Sequence, residues 1–244
     1  MYRLSKERND EDLRARYAHK ACEQIFGFIY FTCSAYWGWS VLKDTPYLPW
    51  YLGGMAGGDY TNTSMKTIFG FVDLSIYDYS LYTYGYHAGD FFQHVFMDEH
   101  MNDFEEMFLH HTAAVCLYFA YIFGNMLYLG SVVAYLHDLA DIFGRLCKGL
   151  NATIYQDSSA IFFVMCMIVW FATRIYSLPQ MIYFILTKCI YPPELEQFQP
   201  YIYLSGIFLS VMCALHYYWF AMFIKILSRY VKTGEAKDDQ NNLE

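Results

Sequence analysis

Charge is what this chain has least of. Only 16% of its 244 residues are Asp, Glu, Lys or Arg, against about 25% in an average soluble domain. The net charge is -8 and no basic patch exists away from the two ends, which argues against nucleic acid as a partner, since a phosphate-binding surface needs clustered Lys and Arg. The seven cysteines lie scattered through apolar segments without paired spacing, so neither a disulfide framework nor a zinc site is expected. The start, "MYRLSKERNDEDLRARYAHK", lacks the apolar core of a cleaved signal peptide, and its acidic residues do not suit a mitochondrial presequence. Targeting is therefore expected to come from the first membrane helix. Internal repeats, low-complexity runs and long linkers are lacking too.

What the chain has instead is apolar length. It is 56% hydrophobic and 21% aromatic, and its mean hydropathy of +0.16 is held down by 25 tyrosines, whose rings suit helix packing and the membrane interface although hydropathy scales count them as polar. A membrane helix needs about 20 mostly apolar residues, and six stretches qualify, at roughly 24–42, 66–87, 106–124, 127–147, 159–187 and 202–227. Breaks between them are legible. "KDTPYLPWYLGGMAGGDYTNTS" has the punctuation of a loop, "HAGDFFQHVFMDEHMNDFEE" is acidic, and "YPPELEQFQP" is rich in proline. The short "GN" turn predicts that the third and fourth helices are antiparallel neighbours. The expected fold is all-α, a polytopic membrane bundle of about six helices spanning 24–230, between a charged segment 1–23 and a polar tail 231–244.

Polar residues inside such a bundle are expensive, about 2.5–3.5 kcal/mol each at mid-membrane on insertion scales. This chain accumulates Asp73, Asp78, His110, His111, His137, Asp138, Asp141, Arg174 and His216. Paired polar groups can simply lock helices together, but the density around "LHDLADIFGRLCKGLN" points to chemistry. His137 and Asp141 are four apart and Asp138 and Asp141 three apart, so they are expected to share a helix face. That face is expected to meet His110 and His111 across the tight turn, where a carboxylate would fix an imidazole tautomer and support a general base or nucleophile. His87, His94, His100 and His216 supply no closely spaced His boxes of the kind a membrane metal cluster needs, so no metal is expected. The Tyr and Phe of the second helix read as packing, and Arg174 as the partner of an internal carboxylate or a headgroup.

The run "DFEEMFLHHTAAVCLYFAYIFGNMLYLGSVVAYLHDLADIFGRLCKGLN" resembles the signature of TLC-domain proteins and, within them, the ceramide synthases. The shared elements are a charged lead-in, His-His, an Asn-x-x-x-x-Gly turn and His-Asp-x-x-Asp, then a Lys and an Asn. Likeness extends to "KACEQIFGFIYF", "DLSIYDYS", "FATRIYSLP" and the acidic tail, and so covers nearly all of the chain from Lys20 onward. The resemblance implies an N-acyltransferase that joins a fatty acyl group from acyl-CoA, its co-substrate, to a sphingoid base. By resemblance His110 and His111 would activate the amine or accept the acyl group, with Asp138 and Asp141 orienting and charge-balancing them. His137, Asn125, Asp78 and Arg174 would contact substrate.

Three positions depart from that pattern. The family's Arg after the third helix is Tyr128, its Glu after His-Asp-x-x-Asp is Arg145, and the Trp of the second-helix motif is Asp78. They support an alternative reading, a catalytically idle or repurposed subunit with a structural or lipid-binding role, whose charged head and polar tail are held by other membrane subunits. Either reading places the chain in the endoplasmic reticulum membrane or, alternatively, the mitochondrial inner membrane.

Lys and Arg number six in the first 23 residues and four from Lys225 onward, but only Lys43, Lys66 and Lys188 fall in the loops of the opposite face. The positive-inside rule then puts both ends on the cytosolic or matrix side. Tags at the two ends should therefore share one fate in protease protection of sealed vesicles; digestion of one tag alone would contradict an even number of spans.

Overall fold

Helices carry the whole of the described chain's regular structure in a computed structural model, which describes residues 11–55, 73–96, 103–151, 156–189 and 193–233. Six are long, in chain order: α1 (Glu11–Leu42), α2 (Leu74–Phe96), α3 (Phe104–Phe123), α4 (Leu127–Asn151), a composite rod α5 (156–189) and α6 (Gln199–Thr233), with short 3-10 turns at Trp50–Leu52 and Pro193–Phe198. The charged residues 1–10, the tail from 234 and the expected start of the second span at 66–72 lie outside the described residues.

Three stretches, Ala21–Leu42, Ser158–Cys189 and Glu196–Thr233, are long and apolar enough to cross a membrane by themselves. Their outward faces carry large apolar side chains such as Phe26, Ile29, Ile161, Ile168 and Ile207, as lipid-facing surface requires. The remaining helices hold His87, His94, His111, His137, Asp138 and Tyr79, and this density of polar groups is why hydropathy alone underrates them.

Two expected boundaries move. The second helix begins at Leu74, because Asp73 serves as its cap, its Oδ1 accepting the Ser75 backbone N–H at 2.9 Å. Asp73 is thus the residue that caps this helix. The helix then runs on through His87, Asp90 and His94 to Phe96, residues expected to form an acidic loop. Their spacing puts them on one face, toward α3, and burial of that face outweighs the low propensity of Gly85 and Gly89.

The "GN" turn is as short as expected. Gly124 N–H bonds the Ala120 carbonyl at 2.8 Å, Met126 N–H bonds that of Tyr121 at 2.8 Å, and Asn125 takes φ 54°, a left-handed conformation that Asn tolerates better than most residues. Beyond the turn the two helices diverge: α3 packs chiefly on α6 and α2, whereas α4 packs on α1 and α5. Near the turn they are pinned by the Tyr121 ring, which lies over Gly130 so closely that a Cβ there would meet it at 2.5 Å.

Along α5, Gln156–Trp170 and Leu178–Phe184 are α-helical, and between them Phe171–Ser177 widens to π-helix. Pro179 explains this: with no N–H to donate, it interrupts the hydrogen-bond ladder. Ser177 helps by donating its hydroxyl to the Ala172 carbonyl at 2.7 Å.

Aromatic packing joins α1 to α2. Tyr30 stacks on Tyr86 at 3.6 Å, and Trp37 meets Tyr79 edge-on at 6.0 Å. Gly38 permits the approach, since a Cβ there would stand 2.6 Å from the Tyr79 hydroxyl. Tyr79 is fully buried and has nowhere to retreat. Gly38→Leu is therefore expected to destabilise the purified protein by about 1–3 kcal/mol, the usual penalty of overpacking, read as a lower thermal-unfolding midpoint in detergent; an unchanged midpoint would contradict this packing.

Candidate functional site

The divergence of α3 and α4 leaves a cavity of about 40 Å3 between them, closed by His87 of α2 and Met212 of α6. Its wall is mostly apolar and aromatic, including Leu117, Tyr118, Tyr121 and Val133, and its polar groups are His87, His110, His137 and Asp141. His110 lies about as far before the turn as Asp141 lies after it, so the antiparallel pair brings both to one level.

His137 and Asp141 line the cavity together, but Asp138 does not share their face. Successive residues on a helix are turned by about 100°, and α4 is surrounded, so each finds a different neighbour. His137 donates from Nδ1 to the Val133 carbonyl at 2.7 Å, and its Nε2 lies 2.9 Å from Nε2 of His216 on α6. With both rings neutral, this fixes the protons: His137 Nε2 is the acceptor, His216 Nε2–H the donor, and His216 Nδ1 carries a bare lone pair. That Nδ1 is buried without a hydrogen-bond partner, as is Nδ1 of His110. The His110 ring stands 6.3 Å from His137, 5.8 Å from His216 and 5.4 Å from Trp219, centroid to centroid.

Asp141 is held by Arg174 at 2.7 Å, and the same nitrogen bonds the His137 carbonyl at 3.0 Å. The guanidinium lies 3.9 Å over the Trp170 ring, while the Trp170 indole N–H reaches the His216 carbonyl at 3.4 Å. Arg174 thus ties α5 to α4 and, through Trp170, to α6. Its pairing with an internal carboxylate is the arrangement its sequence context suggested. Asp138 faces the other way. It is fully buried, with Oδ2 accepting from Ser34 at 2.6 Å and from Tyr79 at 3.5 Å, which joins α4 to α1 and α2.

The two adjacent histidines also part company. His110 faces the cavity; His111 points to α2, with Nε2 3.7 Å from Asp90 Oδ2 and its ring 5.4 Å from that of His94. The expected contact of either histidine with Asp138 or Asp141 is not among the described hydrogen bonds. Asp78 is exposed on α2 and Asn125 forms the turn; neither lines the cavity. The residues that sequence reasoning left out of the site are His216, His87, Trp170 and Trp219. A lone His in the apolar run "CALHYYWF" was the available signal for His216, because such a residue is costly without a partner.

The three family departures fall away from the cavity. Arg145 lies against Phe31 of α1, 5.6 Å from the ring, with its stem in the space that Gly27 leaves open. Tyr128 stacks on Tyr47 at 4.5 Å.

Residues 20–225 match the TLC domain. Among curated proteins the chain is 27% identical to mouse ceramide synthase 4 and 28% identical to the human protein of that name, each over 243 residues, which is 97% of this chain and 57% of the relative. Human ceramide synthase 5 is 26% identical over 230 residues, covering 92% of this chain and 55% of the relative. The chain therefore spans little more than half the length of these relatives.

Arg174 is buried and Asp141 is partly exposed, with 3% and 30% of their side chains accessible, so losing the acid harms more than its own desolvation would suggest. Asp141→Asn should cost about 3 kcal/mol by stranding a buried guanidinium, and the double variant Asp141→Asn/Arg174→Met should recover part of that. Thermal unfolding of the three proteins checks it; a double variant less stable than the single would contradict it.

Proposed function

The chain belongs to the TLC-domain family, and on that premise we propose that it is a ceramide-synthase-like N-acyltransferase of the endoplasmic reticulum membrane, joining the acyl group of an acyl-CoA to the amine of a sphingoid base. The observation that carries the reading is His110: a cavity-facing imidazole with a buried, unpartnered ring nitrogen, beside a hydrogen-bonded histidine pair and a neutralised Asp141–Arg174 bridge. In the reaction the amine nitrogen attacks the thioester carbonyl carbon, the C–N bond forms, the C–S bond breaks and the thiol departs. The attacking nitrogen must lose a proton to a base, and the pocket must exclude water, which would hydrolyse the thioester. His110 accepts the proton. His137 and His216 hold the ring's surroundings in one protonation pattern, Asp141 and Arg174 fix His137 through its carbonyl, and Asp138 acts at a distance by locking α4 to α1 and α2.

The position of the three departures supports activity over a lapsed enzyme, because Tyr128, Arg145 and Asp78 are not among the residues that line the cavity. At about 40 Å3 the cavity has room for waters, and a long acyl chain enters it by parting the helices that line it.

Purified protein supplied with long-chain acyl-CoA and a sphingoid base should form amide, and His110→Ala should lower turnover by roughly 10²–10⁴-fold, the usual contribution of a positioned base, with an unchanged unfolding midpoint. A wild type inactive across acyl lengths and long-chain bases would instead favour the structural subunit, in which case His110→Ala still assembles normally and association with other membrane subunits becomes the property to measure.

A further inference from the structure

Amide formation in a pocket with largely apolar walls raises a question of proton balance. A long-chain amine arrives as an ammonium ion and leaves as a secondary amide, so its nitrogen gives up two protons. The departing sulfur takes one as the thiol, and the second has no place in either product. It must leave a cavity whose walls are largely apolar.

We infer that His111 and Asp90 form the exit by which this second proton leaves, an inference that rests on the acyl-transfer reading above. The two adjacent histidines of α3 divide the work. His110 faces the cavity, the His111 ring follows at 5.5 Å centroid to centroid, and His111 Nε2 stands 3.7 Å from Asp90 Oδ2. That last distance is longer than a hydrogen bond and is spanned by a small rotation or one bridging water. The His111 side chain is 7% accessible and that of Asp90 28%, so the sequence runs from buried to open. His87 lines the cavity and sits one turn before Asp90 on the same face of α2, forming a second wall of the route.

The other acids are committed elsewhere. Asp141 is neutralised by Arg174, and Asp138 is fully buried on Ser34 and Tyr79. His94 bonds the Phe104 carbonyl at 3.1 Å, which uses one of its ring nitrogens. The ionisable groups that face the pair are Tyr86, His87 and His94 from α2, His110 from α3, Arg145 from α4 across Tyr86, and Tyr30 from α1 stacked on Tyr86, with Arg174 acting on His87 from α5. Glu, which keeps the carboxylate, should serve in place of Asp90; Asn should not.

The test compares wild type, Asp90→Asn, Asp90→Glu and His111→Gln in detergent, measuring steady-state amide formation from pH 6 to 9, single-turnover amide formation, and rescue by added formate or imidazole. Asp90→Asn and His111→Gln are expected to lose at least about tenfold in steady-state turnover at neutral pH, with a single turnover much less affected. The loss should shrink as pH rises, because the trapped proton is then taken by solvent base, and small buffers should restore part of it; Asp90→Glu should lie near wild type. An active wild type whose Asp90→Asn variant turns over normally, or loses activity equally at every pH with no rescue, overturns the exit alone. A wild type that forms no amide overturns the acyl-transfer reading and the exit with it.

Discussion

One buried guanidinium organises the interior. Arg174 has no water to turn to, and an arginine left unpaired in a low-dielectric interior is too costly to persist, so the helices around it must supply its partners. α4 gives the carboxylate of Asp141 and the carbonyl of His137, and the rod that carries Arg174 itself gives the face of Trp170. Because Trp170 also bonds the His216 carbonyl, the same group sets the spacing between α4, α5 and α6. The histidine pair can be 2.9 Å apart only if that spacing holds.

Around this centre the helices divide into polar and apolar work. The apolar rods turn large apolar side chains outward and add single polar groups, Arg174 from α5 and His216 from α6, on their inner faces. Of the helices with mixed sequences, α4 is the one packed against α1, α2, α3 and α5, while α2 turns Tyr79 and His94 inward and leaves Leu81 and Phe92 exposed. Asp138, Asp141 and His137 lie within two turns of one helix yet meet Ser34, Arg174 and His216 on three different neighbours. A cluster that is dense along the chain is thus dispersed in space, and its density reflects how many neighbours α4 has.

This explains what could be read in advance. The number and rough placement of the helices follow from apolar length and from Pro, Gly and Asn at the turns, and the proximity of His110 to the "LHDLAD" segment follows from antiparallel helices joined by so short a turn. Which way each polar side chain points depends on what surrounds the helix on all sides, and a single strand of text does not carry that. Spacing predicted one face for Asp138 and Asp141; the partners of Asp138 sit 104 and 59 residues away in the chain. For the same reason the residues from His87 to Phe96 looked like an acidic loop: their helical periodicity is plain only once α3 is known to cover that side. Arg145, where the family pattern has Glu, is accommodated by a glycine in a helix more than a hundred positions earlier.

The widened turn Phe171–Ser177 separates two demands on one rod. An α-helix turns by about 100° per residue, so the extra residue taken up by the wide turn rotates everything after it relative to everything before. Before and within the wide turn, the rod presents Trp170 and Arg174 to the polar centre; downstream, it presents Leu178, Met181, Phe184 and Ile185 to the apolar core, all of them buried. Each half can therefore drift in sequence without dragging the other's face around the axis. The smallest edit that keeps every side chain of the apolar half and yet misdirects it is the loss of one residue between 171 and 177, which makes the length of that segment, more than its composition, the inherited quantity.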